Sequence, residues 1–131
     1  MTITTRGRYA LRVLHDIAQT SGGEFVSLKD ICERNDISRK YLENIMNSLC
    51  KAGLVESSKG KSGGYRLTKP AEDYSVGEIL RVTEGDLAPV SCAGEGGFPC
   101  EHAMDCPTLP VWEKLTVLIN DYLDSVSLAD L

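Results

Sequence analysis

Between Thr5 and Thr20 the residues Tyr9, Ala10, Val13, Leu14, Ile17 and Ala18 recur at steps of three and four, with Arg6, Arg8, Arg12 and Asp16 between them. That spacing predicts a helix with one apolar side, stopped by Ser21-Gly22-Gly23. Ser27 stands as the N-cap of a second helix, with Asp30 three residues on as a capping-box variant and Leu28, Ile31 and Cys32 inward. Asn35-Asp36, both tolerant of a left-handed backbone, predict a tight turn. Ser38 then caps a third helix in which Leu42, Ile45, Met46 and Leu49 form one buried stripe. Lys51 suits the negative end of that helix, and Gly53 followed by Leu54 predicts a Schellman stop.

The period then changes. Val55–Ser58 and Tyr65–Thr68 are short strand candidates around Lys59-Gly60-Lys61-Ser62-Gly63-Gly64, which predicts a two-stranded hairpin with a glycine-rich, cationic tip. Pro70 closes the unit. A short helix from about Ser75 to Glu84 follows, with Val76, Ile79, Leu80 and Thr83 inward, and then a glycine- and cysteine-rich loop, 85–107. A last helix, 109–126, carries Trp112, Leu115, Leu118, Ile119, Tyr122 and Val126 in a helical stripe. The expected fold is mainly α with a small β-hairpin wing: a winged helix-turn-helix over residues 1–70, then an accessory region over 71–131.

Charge sharpens this picture. The net charge is −5, but residues 1–70 hold 12 Lys and Arg against 7 Asp and Glu, whereas residues 71–131 hold 2 against 12. A basic half joined to an acidic half suits a polyanionic partner on one side only. The N-terminal residues lack the apolar stretch of a secretion signal and no run is long enough to cross a bilayer, so a cytoplasmic address and no membrane partner are expected. With two histidines, no nucleophile–base pattern and no phosphate-binding loop, no enzyme is expected.

A short helix, a turn and a second capped helix can lay that second helix in the major groove of duplex DNA. With one face of the Ser38–Ala52 helix in the core, the other presents Arg39, Lys40, Glu43, Asn44 and Asn47, whose chemistry suits base edges. Lys59 and Lys61 at the hairpin tip, and Arg6 and Arg8 at the start of the first helix, are candidates for backbone contacts. A carboxylate at Glu43 repels phosphate unless it meets a cytosine amine, so it is a candidate for selectivity.

Thr5-Arg6-Gly7-Arg8-Tyr9-Ala10, Ser38-Arg39-Lys40-Tyr41-Leu42-Glu43, Ala52-Gly53-Leu54-Val55, Gly63-Gly64-Tyr65-Arg66-Leu67 and Ser75-Val76-Gly77-Glu78-Ile79 occur in that order. Together with the later cysteines, they resemble the Rrf2 family of winged-helix regulators, and within it the IscR-type iron–sulfur cluster regulators. The resemblance covers nearly the whole chain. It implies a transcription regulator, a repressor in many members, that forms a homodimer through crossing C-terminal helices and binds a palindromic operator. It places Ser38, Lys40, Glu43 and Asn44 at base-contacting positions and Lys59 at the cation position of the wing.

Cys92, Cys100 and Cys106 lie on a segment made free of helix by Gly94, Gly96, Gly97 and Pro99. Three thiolates on such a loop can close round a soft metal centre. The resemblance implies an iron–sulfur cluster of the 2Fe-2S type there, whose occupancy biases the pose of the recognition helices. IscR-type members usually supply a histidine three residues after the third cysteine; here that place is Leu109. Arg8 occupies the region from which some relatives draw an acidic ligand, so the fourth ligand is open, with His102 and Glu101 as local candidates. The alternative is a cluster-free regulator of the same family that answers to thiol oxidation, zinc or an enzyme of sulfur metabolism. Cys32 and Cys50 are expected to fill core space, and His15 to be a plain surface or interface histidine.

Overall fold

The computed structural model describes residues 3–94 and 100–131. Helices α1 (Thr5–Thr20), α2 (Leu28–Asn35) and α3 (Arg39–Lys51) are followed by strands β1 (Val55–Ser58) and β2 (Gly64–Leu67), then helices α4 (Val76–Glu84) and α5 (Leu109–Ser125). Short 3-10 turns occupy Ala71–Asp73, Ser91–Ala93 and Leu128–Asp130. The strands form an antiparallel hairpin that pairs Val55 with Leu67 and Ser58 with Gly64. This is the winged helix-turn-helix that the pattern predicts.

Each expected punctuation has a local cause. Ser27 Oγ accepts the Asp30 amide at 3.1 Å and Ser38 Oγ accepts the Tyr41 amide at 3.2 Å, so both helices of the motif start on a side-chain cap. At the end of α3 the Gly53 amide donates to Cys50 O and the Leu54 amide to Leu49 O, both at 3.0 Å. Gly53 takes φ 76°, which completes the Schellman stop. The turn between α2 and α3 differs from expectation in one residue. Asp36 alone is left-handed, at φ 50°, whereas Asn35 closes α2, buried, with Nδ2 donating to Ile31 O at 3.0 Å. An asparagine that can bond back one turn is as content inside the helix as beyond it.

The main core gathers Ala10, Val13, Leu14 and Ile17 of α1, Ile31 of α2, Leu42, Ile45, Met46 and Leu49 of α3, and Val55 of β1. Tyr74, Ile79 and Leu128 belong to the same cluster. Leu128 arrives because the chain turns back after α5: its amide donates to Tyr74 O at 2.9 Å, and the Val76 amide to Val126 O at 2.8 Å. A second cluster joins Val76, Leu80 and Leu87 to Ile3, Leu11, Ile119, Leu123 and Val126. It packs the accessory helices on the start of α1.

Two expectations shift. β2 begins at Gly64 and ends at Leu67, one residue early, since Thr68 turns its amide to the Tyr74 hydroxyl at 3.0 Å and its own hydroxyl to Gly53 O at 2.8 Å. The apolar stripe expected along the last helix divides into two faces. Ile119 and Leu123, with Val126 beyond the helix end, pack on α4, while Val111, Leu115, Leu118 and Tyr122 are exposed. None of the residues of α5 is buried.

Candidate nucleic-acid interface

Helix α3 is built to be read from one side. Its Leu42, Ile45, Met46 and Leu49 have no exposed surface. Burial of this order contributes roughly 1.5–3 kcal/mol per side chain and fixes the helix rotation. Lys40, Asn44 and Asn47 therefore face solvent. Glu43 is half-buried and takes an ion pair from Arg39 Nε at 3.2 Å, one helical turn back. Arg39, with 79% of its side chain exposed, can leave that pair at little cost. Ser38 uses its hydroxyl oxygen for the cap and keeps its hydroxyl hydrogen to donate.

The wing stands beside this face because a third piece of chain braces it. Val26, just before α2, pairs with Tyr65 in both directions at 2.8 Å. A Cβ at Gly64 would collide with the Val26 carbonyl, so only glycine lets these backbones meet. Arg66 is held by Glu56 across the hairpin and lies 4.3 Å over the Phe25 ring. Lys59 and Lys61 are left exposed at the tip. Between α2, α3 and the wing runs a cleft of about 590 Å³, lined among others by Lys29, Arg39, Glu43, Lys59, Lys61 and Tyr65.

Lys29 was not singled out from the sequence. It is exposed in the first turn of α2, where the helix dipole disfavours a cation. A lysine set against the dipole in the first turn of a helix is the signal that marks it. The two N-terminal arginines part company. Arg8 is exposed and bonds Thr5 Oγ1 at 3.0 Å, whereas Arg6 is half-buried and donates to the Ser48 hydroxyl of α3.

The cysteines divide into two kinds. Cys32 and Cys50 are half-buried against the main core, and burial raises both thiols above their ordinary value. Cys92 sits half-buried in the Ser91–Ala93 turn, Cys100 is exposed, and Cys106 is half-buried just before α5. The Cys106 thiol is lowered, first by its contact with the Thr108 hydroxyl at 3.3 Å, then by the amides of Thr108 and Leu109. Among the described residues, no three His, Cys, Asp or Glu side chains stand close enough to grip a metal ion. Gly96, Gly97 and Pro99 of the intervening stretch lie outside the described residues. His102 and Glu101 are exposed and Leu109 is half-buried at the start of α5.

Residues 3–131 match the sequence profile of Rrf2, described as an iron-dependent transcriptional regulator. The chain belongs to the Rrf2 family. The HTH-type transcriptional regulator IscR of Vibrio campbellii is 37% identical over 131 residues, which are 100% of this chain and 77% of that protein. Among solved structures, IscR of T. potens superposes with a TM-score of 0.77 at 38% identity, covering 99% of this chain and 85% of the other. CymR, the global cysteine regulator of B. subtilis, superposes at 0.82 with 33% identity, covering 99% and 95%.

As an Rrf2 protein the chain is a DNA-binding transcriptional regulator and not an enzyme. The winged-helix architecture and the C-terminal helix are those of its Rrf2 neighbours. No helix among the described residues is long and apolar enough to cross a membrane.

Proposed function

We propose that this Rrf2 regulator acts in the cytoplasm as a homodimer that sets its recognition helices α3 in successive major grooves of a palindromic operator. The observation that carries the reading is the two-sidedness of α3. Four of its side chains are locked in the core, and Lys40, Asn44 and Asn47 stand free beside a wing tipped by Lys59 and Lys61. In this reading Ser38, Arg39, Lys40, Glu43, Asn44 and Asn47 face base edges and the nearest phosphates, while Arg8, Lys29, Lys59 and Lys61 neutralise the backbone. The exposed Val111, Leu115, Leu118 and Tyr122 of α5 form the surface on which the second copy packs.

The sensor is the segment carrying Cys92, Cys100 and Cys106. Its donor set suits a 2Fe-2S cluster: all three thiols are free, and Thr108 holds Cys106 toward the thiolate that such a cluster needs. The fourth ligand would come from His102, Glu101 or outside this segment. When bound, a cluster would supply a redox- and iron-dependent charge to Cys92, Cys100 and Cys106. The second reading, a cluster-free thiol sensor, needs only the free thiols of Cys92, Cys100 and Cys106.

One experiment addresses both levels. Protein purified anaerobically and reconstituted with iron and sulfide is assayed for visible absorption and iron content, then bound to a duplex it has selected from a random library. Affinity should fall steeply with salt, and Lys59→Ala with Lys61→Ala should flatten the log–log slope by about 0.9 for each phosphate no longer neutralised. A flat salt response sinks the groove reading; a colourless, iron-free product sinks the cluster and leaves the thiol sensor.

A further inference from the structure

The carboxylate of Glu84, the last residue of α4, reaches across to the first turn of α1. Its Oε1 accepts the Thr4 hydroxyl at 2.5 Å, the Gly7 amide at 3.0 Å and the Thr4 amide at 3.2 Å. Helix α1 has no acidic residue in its first turn and no cap from the Thr4 side chain, so Glu84 supplies both from another element. Position 7 must be small for this approach, since a Cβ on Gly7 would collide with Glu84 Oε1 and crowd Leu80. The same turn of α1 carries Arg6, which reaches the opposite way to the Ser48 hydroxyl on α3, with its Nε buried and unpartnered. Ser48 is half-buried and follows Asn44 by one helical turn, at the flank of the Lys40–Asn44–Asn47 face where Arg6 meets it. One turn of α1 is thus fastened at one side to α4 and at the other to α3.

We propose that Glu84 is a positioning residue for DNA binding: it clamps the start of α1, and Arg6 passes that position to α3 at Ser48. Arg6 on this account sets the helix and does not touch phosphate. Gly85, at φ 78°, begins the segment that leads to Cys92, and Leu87 two residues further on is buried beside Ile3 in the second cluster. Displacement of that segment therefore loads the clamp directly, which links the accessory region to the reading face through the hydrogen bonds of Glu84 and Arg6. This inference rests on α3 being the recognition helix.

The test uses the full chain and two fluorescent duplexes, one enriched by the wild-type protein from a random library and one scrambled. Glu84→Ala and Ser48→Ala should each weaken the enriched duplex by about tenfold while changing the scrambled one by less than about twofold, a coupling of ordinary allosteric size. The salt slope should stay at the wild-type value in both variants, and the double variant should bind no worse than the weaker single one. Glu84→Gln, which keeps an acceptor for the Gly7 amide, should fall between wild type and Glu84→Ala. Equal losses on both duplexes, effects that multiply in the double variant, or a Ser48→Ala protein with wild-type affinity would overturn the proposal. Should the wild type enrich no duplex, the DNA reading itself fails; enrichment with independent variants removes only the clamp.

Discussion

Tyr74 carries more of the junction between wing and core than any side chain the sequence pattern pointed to. It is 1% exposed, yet its hydroxyl donates to Leu54 O at 2.6 Å and accepts the Thr68 amide at 3.0 Å, joining the end of α3 to the end of β2. Tyr74→Phe leaves a buried carbonyl and amide without that partner, so unfolding in urea should show a loss of about 1–3 kcal/mol. The thiols offer a second measurement at this scale. Burial raises Cys32 and Cys50, so at a given mildly alkaline pH they hold less thiolate than an ordinary cysteine. Timed alkylation with mass spectrometry should find exposed Cys100 modified before either of them. A raised folded pKa also means that the native state keeps protons the unfolded chain releases. The thermal midpoint should therefore fall as pH rises beyond about 8.5, the ordinary thiol value.

Helix boundaries were legible because each rests on a residue with a local reason to be there. Ser27, Ser38 and Ser75 each accept an amide three residues on, at 3.1, 3.2 and 2.9 Å. Ser75→Ala should cost about 1 kcal/mol in thermal or urea unfolding, the usual value of an N-cap, without moving the solvent-facing side of α3. The wing was legible only in part. Alternation and glycine content give its two strands, but the bridge from Val26 to Tyr65 joins residues far apart in the chain and leaves no periodic trace. Gly64 is the visible end of that contact. Gly64→Ala pushes a methyl into the Val26 carbonyl and should destabilise by about 1–3 kcal/mol, with faster amide exchange across 55–67 than elsewhere.

At the scale of the molecule, the proposed dimer depends on the exposed face of α5 bearing Val111, Leu115, Leu118 and Tyr122. Leu118→Glu places a charge in the middle of that face. Sedimentation equilibrium should show the proposed dimer weakened by at least about tenfold, since truncating or charging a central anchor commonly costs about 2 kcal/mol or more. Unchanged self-association would remove α5 as the interface.

The order of elements, the caps, the buried stripe of α3 and the cationic tip of the wing were settled by the sequence alone. Each depends on neighbours within one or two helical turns, and local sterics and hydrogen bonding act at that range. Tertiary structure decided which apolar residues of α5 meet α4 and which stay exposed, since a helical period gives an angle around an axis but not the partner that fills it. It also decided that Arg6 turns inward to Ser48, that Leu128 returns to the core under Tyr74, and that Glu84 caps a helix 80 residues away. Those contacts arise only when distant segments are packed together, and a polar side chain takes its partner from whatever that packing brings within reach.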